Sequence, residues 1–326
     1  MGGLATGRTP RTATIALAGL LAACNGAPPP DPVDPADTTA IRIPARGGAA
    51  TLDVGTWNVE WFGDPGNGPG DEARQLRYVR DVINGAELDL WGVQEVVSTS
   101  HFEGLLDQAP DYDGFLADDP SVTGGAAYYS DFGGNEQKVG LLYRSALVTV
   151  RGARVILTDF DYQFAGRPPL EVEVTVGLDP PVELVVIVLH AKAGADQDDW
   201  TRRHAAATAL KEYLDATYPM ERVLVLGDFN DDVDVSIVQG LASPYQAFVD
   251  DAAAYRFPTA TLSSAGATST VFYTDMVDHH LVTDEVAAAY IDGSAEAYRV
   301  DEYIPDYGET ASDHFPVLTR YDPAGG

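Results

Sequence analysis

The sequence predicts a layered α/β domain in which two packed β-sheets carry helices on their outer faces. Strand patterns outnumber helix patterns along the chain, yet helical patterns separate several of the strands. The segments 182–189 and 223–227 are short, apolar and followed by polar residues, which is typical of buried strands that end at a functional edge of a sheet. We therefore expect two sheets with external helices rather than a single barrel.

The composition describes an acidic chain with enough apolar residues for one large core. Of the 326 residues, 45% are hydrophobic, and 50 acidic residues face 20 basic ones, giving a net charge of −30. This charge favours solubility and counts against tight, nonspecific binding to nucleic acid. It does not exclude hydrolysis of such a substrate with the help of a bound divalent metal.

The first 23 residues have the pattern of an export signal. Two arginines precede the apolar run 13–23, which is too short to span a bilayer. The run 21–24, Leu-Ala-Ala-Cys, resembles the bacterial lipobox, in which the cysteine is acylated and becomes the mature N-terminus. An ordinary secretory signal is the alternative. We expect an exported protein, either secreted or anchored through lipidated Cys24 to a bacterial membrane that faces the periplasm or the exterior.

Three segments follow from this reading of the N-terminus. Residues 1–23 are the predicted signal peptide, and residues 24–49 are rich in Pro and Asp, which predicts an extended tether. The sequence shows no internal repeat and no second linker of this kind. We therefore predict one folded domain over residues 50–322.

The first half of the domain begins with a strand at 52–58 and a Gly- and Pro-rich surface loop at 63–70. Apolar residues at helical spacing predict a helix over 72–83, closed by a glycine cap at Gly85. A buried strand over 88–97 and a short helix over 102–108 follow, and residues 110–135 show no assignable pattern.

The second half of the domain contains most of the strands. A helix is predicted over 200–218, with Ala205, Ala209, Leu210 and Tyr213 facing inward and Pro219 beyond its end. The remaining segments have apolar patterns typical of strands: 138–144, 147–156, 170–176, 182–189, 223–227, 276–282 and 315–319.

Polar residues follow or end six of these strands, in positions where a core would exclude them. Any one of them is more simply a turn residue or a satisfied hydrogen-bonding group. Asp228 and Asn230 are the most informative pair, because two residues apart on an extended backbone they would share one face. The alternative for this pair is a strand that ends in an Asx turn. The full set is Asn58, Glu95, His190, Asp228 with Asn230, Asp278 with His279, and Asp313 with His314.

These residues lie in motifs that together resemble the endonuclease/exonuclease/phosphatase superfamily, which has the deoxyribonuclease I-like fold. The motifs are Thr56-Trp57-Asn58, Gln94-Glu95, Leu142-Tyr143-Arg144, Leu189-His190-Ala191-Lys192, Gly227-Asp228-Phe229-Asn230, Val277-Asp278-His279 and Ser312-Asp313-His314-Phe315-Pro316. They occur in the family's order and span nearly the whole predicted domain. The resemblance implies a four-layer αββα sandwich, with two packed mixed β-sheets flanked by helices and the site at one edge of both sheets.

The resemblance also implies a divalent metal, usually Mg²⁺, with Mn²⁺ or Ca²⁺ as further possibilities. It places the metal on Glu95, with Asn58 and Asp313 close enough to help directly or through water. Oxygen ligands of this kind suit Mg²⁺, which keeps several waters. Glu60, two residues after Asn58, is either an extra metal ligand or a solvent-exposed acid.

The catalytic roles come from the same resemblance. Asp228 would orient or deprotonate the attacking water, and Asn230 would hold that water or a phosphate oxygen. His314 would donate to a phosphate oxygen, with Asp278 behind it fixing its tautomer. His190 would act on the phosphate or the leaving oxygen; a histidine here resembles the secreted nuclease and sphingomyelinase branches more than the abasic-site repair branch.

A smaller group of residues receives weaker assignments. Lys192 and Arg144 are the best candidates for local positive charge beside the site. His279 and His280 are expected to be structural. Tyr143 suits core packing as well as it suits a phosphate contact.

The predicted function is therefore metal-dependent phosphodiester hydrolysis by a monomer, with nucleic acid the favoured phosphoester substrate. A phosphatase or a sphingomyelinase-like phospholipase is the alternative, favoured by the acidic surface and the predicted membrane tether. A non-catalytic binding module is a third possibility, against which the presence of Asp228 and His314 counts.

Overall fold

The computed structural model describes residues 40–130 and 136–322 of the chain. The predicted signal peptide 1–23, the predicted lipidation site Cys24 and most of the predicted tether 24–49 lie outside these residues. Within them, no helix is both long enough and apolar enough to cross a bilayer.

Twelve strands in the described residues form two six-stranded sheets. The strands are β1 Leu52–Phe62, β2 Leu90–Val96, β3 Tyr112–Leu116, β4 Lys138–Arg144, β5 Val148–Val155, β6 Leu170–Val176, β7 Val182–His190, β8 Val223–Asp228, β9 Tyr255–Arg256, β10 Asp278–Thr283, β11 Glu296–Ala297 and β12 Val317–Tyr321.

The two sheets share one plan. The first has the order β11-β12-β1-β2-β4-β3 and the second the order β5-β6-β7-β8-β10-β9. In each sheet the central pair is parallel, β1 with β2 and β7 with β8, and the other neighbours are antiparallel. The predicted mixed sheets are therefore confirmed. Since the strands of a parallel pair end at the same edge, each sheet delivers two strand ends to one place.

The inner faces of the sheets pack directly against each other. Val54 and Leu141 of the first sheet and Val186 and Leu226 of the second belong to one fully buried cluster. Gly92 permits this close approach, because a Cβ atom there would lie only 1.9 Å from Leu226 Cδ1. The sheets therefore meet at van der Waals distance below the strand ends.

Helices cover both outer faces, which completes the predicted αββα sandwich. Residues Leu76, Val79 and Ile83 pack in a cluster on the outer face of the first sheet, and Leu210 and Leu214 pack on that of the second. The helices are α1 Glu72–Ala86, α2 Thr99–Leu106, α3 Gln197–Thr217, α4 Gln246–Asp250, α5 Ala260–Ser264, α6 Asp284–Ala287 and α7 Tyr307–Thr310.

The boundaries of all three predicted helices differ from the predictions, and α2 covers Thr99–Leu106 instead of 102–108. The predicted cap at Gly85 is wrong: α1 continues to Ala86, and Glu87 adopts the left-handed conformation with φ 58°. Gly85 instead makes room for Ile43, whose Cβ would lie 2.6 Å from an added Cβ. Helix α3 starts before residue 200, because the Asp196 side chain accepts from the backbone of Asp199 in a capping box.

Strand boundaries also shift near the functional edge. Strand β10 begins at Asp278 and β12 at Val317, later than the predicted starts at 276 and 315. The backbone N–H of Phe315 donates to Ser269 O at 2.7 Å, so this residue is bound to a loop rather than to a sheet. Strand β3 falls in the segment 110–135, for which no pattern could be assigned.

Candidate active site

The ends of the central strands bring the predicted site residues together at one edge of both sheets. In the parallel registers, Asn58 of β1 lies beside Gln94 of β2, and His190 of β7 lies beside Asp228 of β8. Antiparallel pairing of β10 with β8 places Asp278 opposite Asp228. Strands β1, β2, β7, β8 and β10 therefore deliver their polar motif residues to a shared edge.

Asn58 lies at the centre of this arrangement and connects the two sheets. Its Nδ2 atom donates to Glu95 Oε1 at 3.0 Å and to Asp228 Oδ2 at 3.0 Å. Its Oδ1 atom accepts from the backbone N–H of Glu60 at 3.0 Å. The side chain is buried, so these hydrogen bonds fix the spacing of the two carboxylates.

Glu95 reaches the site because the end of β2 is irregular. The register with β4 shifts between Val93 and Val96, and Glu95 adopts a left-handed backbone with φ 63°. The backbone N–H of Trp61 donates to its Oε2 atom at 3.1 Å. Burial raises the pKa of Glu95, and the hydrogen bond from Asn58 only partly opposes this shift.

Asp228 has both carboxylate oxygens engaged. The backbone N–H of Asn230 donates to Oδ1 at 2.8 Å, and Oδ2 lies 3.5 Å from His190 Nε2 and 3.9 Å from His314 Nε2. Burial raises the pKa of Asp228 to about 7, the nearby carboxylate of Asp278 adds to the rise, and His314 opposes it. A carboxyl group in this range can exchange a proton near neutral pH.

His314 and Asp278 form a hydrogen-bonded pair beside Asp228. His314 Nδ1 donates to Asp278 Oδ2 at 2.8 Å, which leaves Nε2 directed toward Asp228 and Asp313. Burial alone lowers the pKa of His314, but the carboxylates of Asp278 and Asp228 outweigh burial and raise it well above its ordinary value. The imidazole is therefore positively charged at neutral pH.

His190 has the opposite electrostatic environment. Burial lowers its pKa well below the ordinary value, and the charges of Arg167 and His314 lower it further. Its Nε2 atom lies 3.5 Å from Asp228 Oδ2 and 3.7 Å from Glu95 Oε1. Among the described residues, nothing bonds to its buried Nδ1 atom. His190 is therefore a neutral imidazole beside two carboxylates.

Glu60 and Asp313 add two more acidic groups. Asp313 Oδ1 lies 3.8 Å from His314 Nε2. Burial raises the pKa of Glu60 to about 8, and the charge of Asp313 adds to this rise. In the described part of the chain, the buried Oε2 atom of Glu60 has no hydrogen-bond partner. Glu60 thus faces the site rather than solvent.

These acids have the character of a site for a divalent cation. The raised pKa values of Glu60, Glu95 and Asp228 show that several carboxylates share a buried space with too little positive charge, which a divalent ion would supply. A second group consists of Asp228, Asp278 and His314, whose possible ligand atoms, one from each side chain, all lie within 4.8 Å of one another. That second group is a poorer metal site, because a charged His314 has no lone pair to offer.

Arg167 is a site residue that the sequence predictions missed. Its Nη2 atom donates to Ala191 O at 3.0 Å, its Nη1 atom donates to Gln137 Oε1, and the charges of Glu95 and Asp228 act on its guanidinium. Arg167 precedes β6, whose antiparallel register sets Leu170 opposite Val188 near the end of β7. The sequence could have indicated Arg167 only if residues before the start of a strand had been considered together with residues at the end of its antiparallel neighbour.

Two cations expected at the site are placed differently. The prediction that Arg144 supplies positive charge beside the site is wrong. Arg144 lies at the end of β4 that is far from the site, where its Nε atom donates to Leu88 O. The adjacent Tyr143 donates to Asp113 at 3.2 Å, also away from the site. Lys192 lies near the site, but its ammonium group pairs with Asp199 at 2.6 Å.

The remaining polar residues of the motifs make ordinary structural contacts. Asn230 adopts a left-handed backbone with φ 53°, and its Nδ2 atom donates to Ala191 O at 3.2 Å. His279 bonds to Thr259 Oγ1 at 2.9 Å, and His280 bonds to Thr319 Oγ1 at 2.6 Å. Both histidines are fully buried.

Comparison with known families decides the relationship of this chain to other proteins. The sequence matches the model of the Endonuclease/Exonuclease/phosphatase family over residues 55–314. The chain belongs to this family. This assignment confirms the predicted superfamily and the predicted class of enzyme, a phosphoester hydrolase. Enzymes of this family generally depend on a divalent metal. Comparison with curated protein sequences finds no match.

Solved structures share the fold at low sequence identity. TDP2 from D. rerio, in complex with single-strand DNA product, is 16% identical with a TM-score of 0.59, covering 83% of this chain and 99% of that one. The 3′ phosphatase NExo from Neisseria, bound to a product DNA hairpin, is 16% identical with a TM-score of 0.58, and the match covers 83% of this chain and 99% of that one. A mannosyl-6-phosphatase from Bacteroides thetaiotaomicron is 17% identical with a TM-score of 0.52, and the match covers 82% of this chain and 98% of that one. At these identities the likeness shows the fold alone.

Proposed function

We propose that this family member is a metal-dependent phosphodiesterase, with nucleic acid as its favoured substrate. The observation that carries the proposal is the contact of one amide, Asn58, with both Glu95 and Asp228 at 3.0 Å. This contact sets an acidic metal-binding group beside a carboxylate suited to activating water. Two histidines of opposite charge state border the same carboxylate.

Asp228 is the proposed base for the attacking water. Its pKa of about 7 lets the carboxylate take a proton from water and release it again near neutral pH. Hydrogen bonds from Asn230 N–H and Asn58 Nδ2 hold the carboxylate in one orientation. The carboxylate therefore does not need to reorganise when the water loses its proton.

His314 is the proposed donor to the phosphoryl group. The imidazole is held by Asp278 through Nδ1, and its positively charged Nε2–H lies on the side of Asp228. A fixed cationic donor stabilises the negative charge that develops on a phosphate oxygen during attack. His190, which stays neutral, has its Nε2 atom 3.5 Å from Asp228 Oδ2 and 3.7 Å from Glu95 Oε1, and from there it would donate to the leaving oxygen.

Glu95 is the proposed principal metal ligand, with Asn58 and Asp313 nearby. Mg²⁺ suits this oxygen set, and Mn²⁺ has similar ligand preferences. When bound, the cation would supply positive charge to the phosphate oxygens. Arg167 would bind a second phosphate oxygen from the opposite side, since its guanidinium lies within reach of the charges of Glu95 and Asp228.

A phosphatase or phospholipase activity is the second candidate. The mannosyl-6-phosphatase with the same fold and the strongly acidic surface of this chain favour it. DNA is present in the complexes of TDP2 and NExo, and this favours the nuclease. The two candidates share the metal, Asp228 and His314, and differ only in what flanks the phosphate.

A substrate panel separates these activities. Purified protein would be incubated with plasmid DNA, single-stranded DNA, RNA, a sugar phosphate, an inositol phosphate and sphingomyelin, with Mg²⁺, with Mn²⁺ or with chelator. We expect metal-dependent cleavage of nucleic acid that His314→Ala abolishes with little change in melting temperature. Release of phosphate or phosphocholine without cleavage of nucleic acid would select the second candidate, and an inactive panel would refute both.

We further propose that the enzyme works outside the cytoplasm. The support is the sequence pattern of residues 1–24, which combines an apolar segment with a lipobox-like cysteine. Labelled palmitate should be incorporated into the full chain expressed in a bacterial host and lost in Cys24→Ala. A secreted, unlabelled product would support the ordinary signal peptide instead.

A further inference from the structure

Positive charge is scarce on this protein, and carboxylates neutralise much of it. Arg46 pairs with Glu296 at 2.8 Å, and the fully buried Arg203 pairs with Asp231 at 2.8 Å. Lys192, the nearest lysine in the motif that carries His190, also has a carboxylate partner. An arginine without such a partner is therefore informative in a chain of net charge −30.

Arg167 and Arg202 are two such arginines. Across residues 40–130 and 136–322, neither forms an ion pair with a carboxylate, and the contacts of Arg167 are to Gln137 Oε1 and Ala191 O. Its Nε atom is buried without a partner in the same residues. These contacts orient the guanidinium without a direct ion pair, and the carboxylates of Glu95 and Asp228 act on its charge only from a longer distance.

Arg202 is oriented by a contact with the exposed ring of Tyr162. The guanidinium carbon lies 4.1 Å from the centre of the ring, and Nε donates to Tyr162 O at 3.1 Å. The Nη2 atom donates to the same carbonyl oxygen. Of the described residues, none contacts Nη1, so one face of the guanidinium remains available to a ligand. The Tyr162 ring is 63% exposed.

A short loop links the two arginines: Arg202 Nε and the backbone N–H of Ala165 both donate to Tyr162 O at 3.1 Å, and Ala165 lies two residues before Arg167. Burial lowers the pKa of Arg167, and the positive charge of Arg202 lowers it further, while Glu95 and Asp228 oppose the shift. Two neighbouring cations repel each other unless an anion lies between or beside them. Helix α3, which carries Arg202, and the loop that carries Tyr162 and Arg167 thus place two guanidinium groups on a border of the site, among the acids Asp161, Asp198 and Asp199.

We propose that Arg202, held by Tyr162, binds a phosphate that flanks the scissile phosphate of a nucleic acid strand. This inference rests on the proposed phosphodiesterase function and narrows its substrate to chains with more than one phosphate. Planar guanidinium groups bind phosphate oxygens in pairs, and Tyr162 offers a ring on which a neighbouring base stacks. The local border also explains how so acidic a protein holds a polyanion.

The test compares a substrate with one phosphate and a substrate with several. Hydrolysis of bis(p-nitrophenyl) phosphate and of a short labelled single-stranded oligonucleotide would be measured for wild type, Arg202→Ala and Arg202→Lys. Arg151→Ala is the matched control, because Arg151 is exposed on β5 and contacts Thr175 at the far end of the second sheet. All assays would contain Mg²⁺ or Mn²⁺.

We expect Arg202→Ala to raise KM for the oligonucleotide about 5- to 10-fold and to leave kcat/KM for the small diester unchanged. The slope of log KM against log salt should fall by about 0.7, the value for one contact to a single strand. Arg202→Lys should recover most of this slope because it keeps the charge. Arg151→Ala should behave as wild type.

Each other outcome overturns a defined part of the account. Equal oligonucleotide KM values for Arg202→Ala and Arg151→Ala, with the small diester still hydrolysed, would remove the flanking phosphate contact and leave the phosphodiesterase. An equal loss of kcat/KM on both substrates in Arg202→Ala would show that Arg202 positions Arg167 and does not bind a flanking phosphate. Hydrolysis of neither substrate by wild type would refute the proposed function together with this inference.

Discussion

The Nδ2 atom of Asn58 lies 3.0 Å from Asp228 Oδ2, although Asn58 belongs to β1 of the first sheet and Asp228 ends β8 of the second. The same atom donates to Glu95 at 3.0 Å. One amide group therefore sets the distance between the proposed metal ligand and the proposed base. The arrangement of the site therefore depends on how the two sheets pack against each other.

Replacing Asn58 by alanine should damage both activity and stability. Two buried carboxylates would lose a donor, which costs about 1–3 kcal/mol of the free energy of unfolding. The loss of orientation should lower kcat by about 100-fold or more. Urea unfolding and steady-state kinetics measure the two effects. Gln94→Ala is the control: its side chain contacts Thr56 within one sheet, so we expect a stability loss with much less effect on kcat.

Mg²⁺ or Mn²⁺ should bind through Glu95 and stabilise the fold. Because the ion would bind the folded state alone, saturating metal should raise the melting temperature, and isothermal titration should detect one or two ions. Glu95→Gln should remove most of both signals. Glu296→Gln, which changes a surface pair with Arg46, should keep them. An unchanged metal response in Glu95→Gln would place the ion elsewhere.

Arg167 should matter for phosphate binding, and Arg144 should not. Arg167 lies among the site acids, whereas Arg144 lies at the opposite end of the first sheet. We expect Arg167→Ala to lower kcat/KM for a phosphodiester by about 10- to 100-fold and Arg144→Ala to leave it within about 2-fold of wild type. Similar values for the two variants would exclude Arg167 from the site.

Stability should depend on pH through Glu72, far from the chemistry. Burial raises the pKa of Glu72 from 4.5 to about 7, the charges of Asp64 and Asp71 add to the rise, and a hydrogen bond from the Gly63 backbone only partly opposes it. The folded state then holds a proton that the unfolded state releases, so stability is full below about pH 4.5 and falls as pH rises to about 7.

Glu72→Gln should remove this dependence. We expect the variant to be more stable than wild type at pH 8 by about 1–3 kcal/mol and nearly equal to it at pH 4. Chemical denaturation at the two pH values gives the comparison. Glu103→Gln, at an exposed position of the neighbouring helix, is the control. An equal gain at both pH values would show that the effect is not one of protonation.

Strand ends could be predicted from the sequence because a buried strand excludes polar residues until it leaves the core. Gly227 and Asp228 show this at the end of β8, and His190 shows it at the end of β7. The parallel register then places His190 and Asp228 side by side without further information. Periodicity also predicted the two-sheet architecture, since helices interrupt the series of strands.

Contacts that depend on three-dimensional neighbours could not be predicted in this way. Arg167 precedes an antiparallel strand, so its position at the site follows from the pairing of β6 with β7 and not from any local pattern. Gly85 looks like a helix cap in the sequence, but it serves the packing of Ile43. Arg144 belongs to a family-like motif, yet the length of β4 carries it to the wrong end of the sheet.

The most direct measurement is cleavage of a labelled single-stranded oligonucleotide by wild type and by Asp228→Asn, each with Mg²⁺ and with chelator. The variant keeps the size of the side chain but replaces one acceptor oxygen with an NH2 group, which cannot take a proton and gives up one of the hydrogen bonds from Asn58 Nδ2 and Asn230 N–H. The account predicts cleavage by wild type in Mg²⁺ alone and a loss of at least about 1000-fold in the variant. Equal cleavage by the two proteins, or cleavage by wild type in chelator, would contradict it.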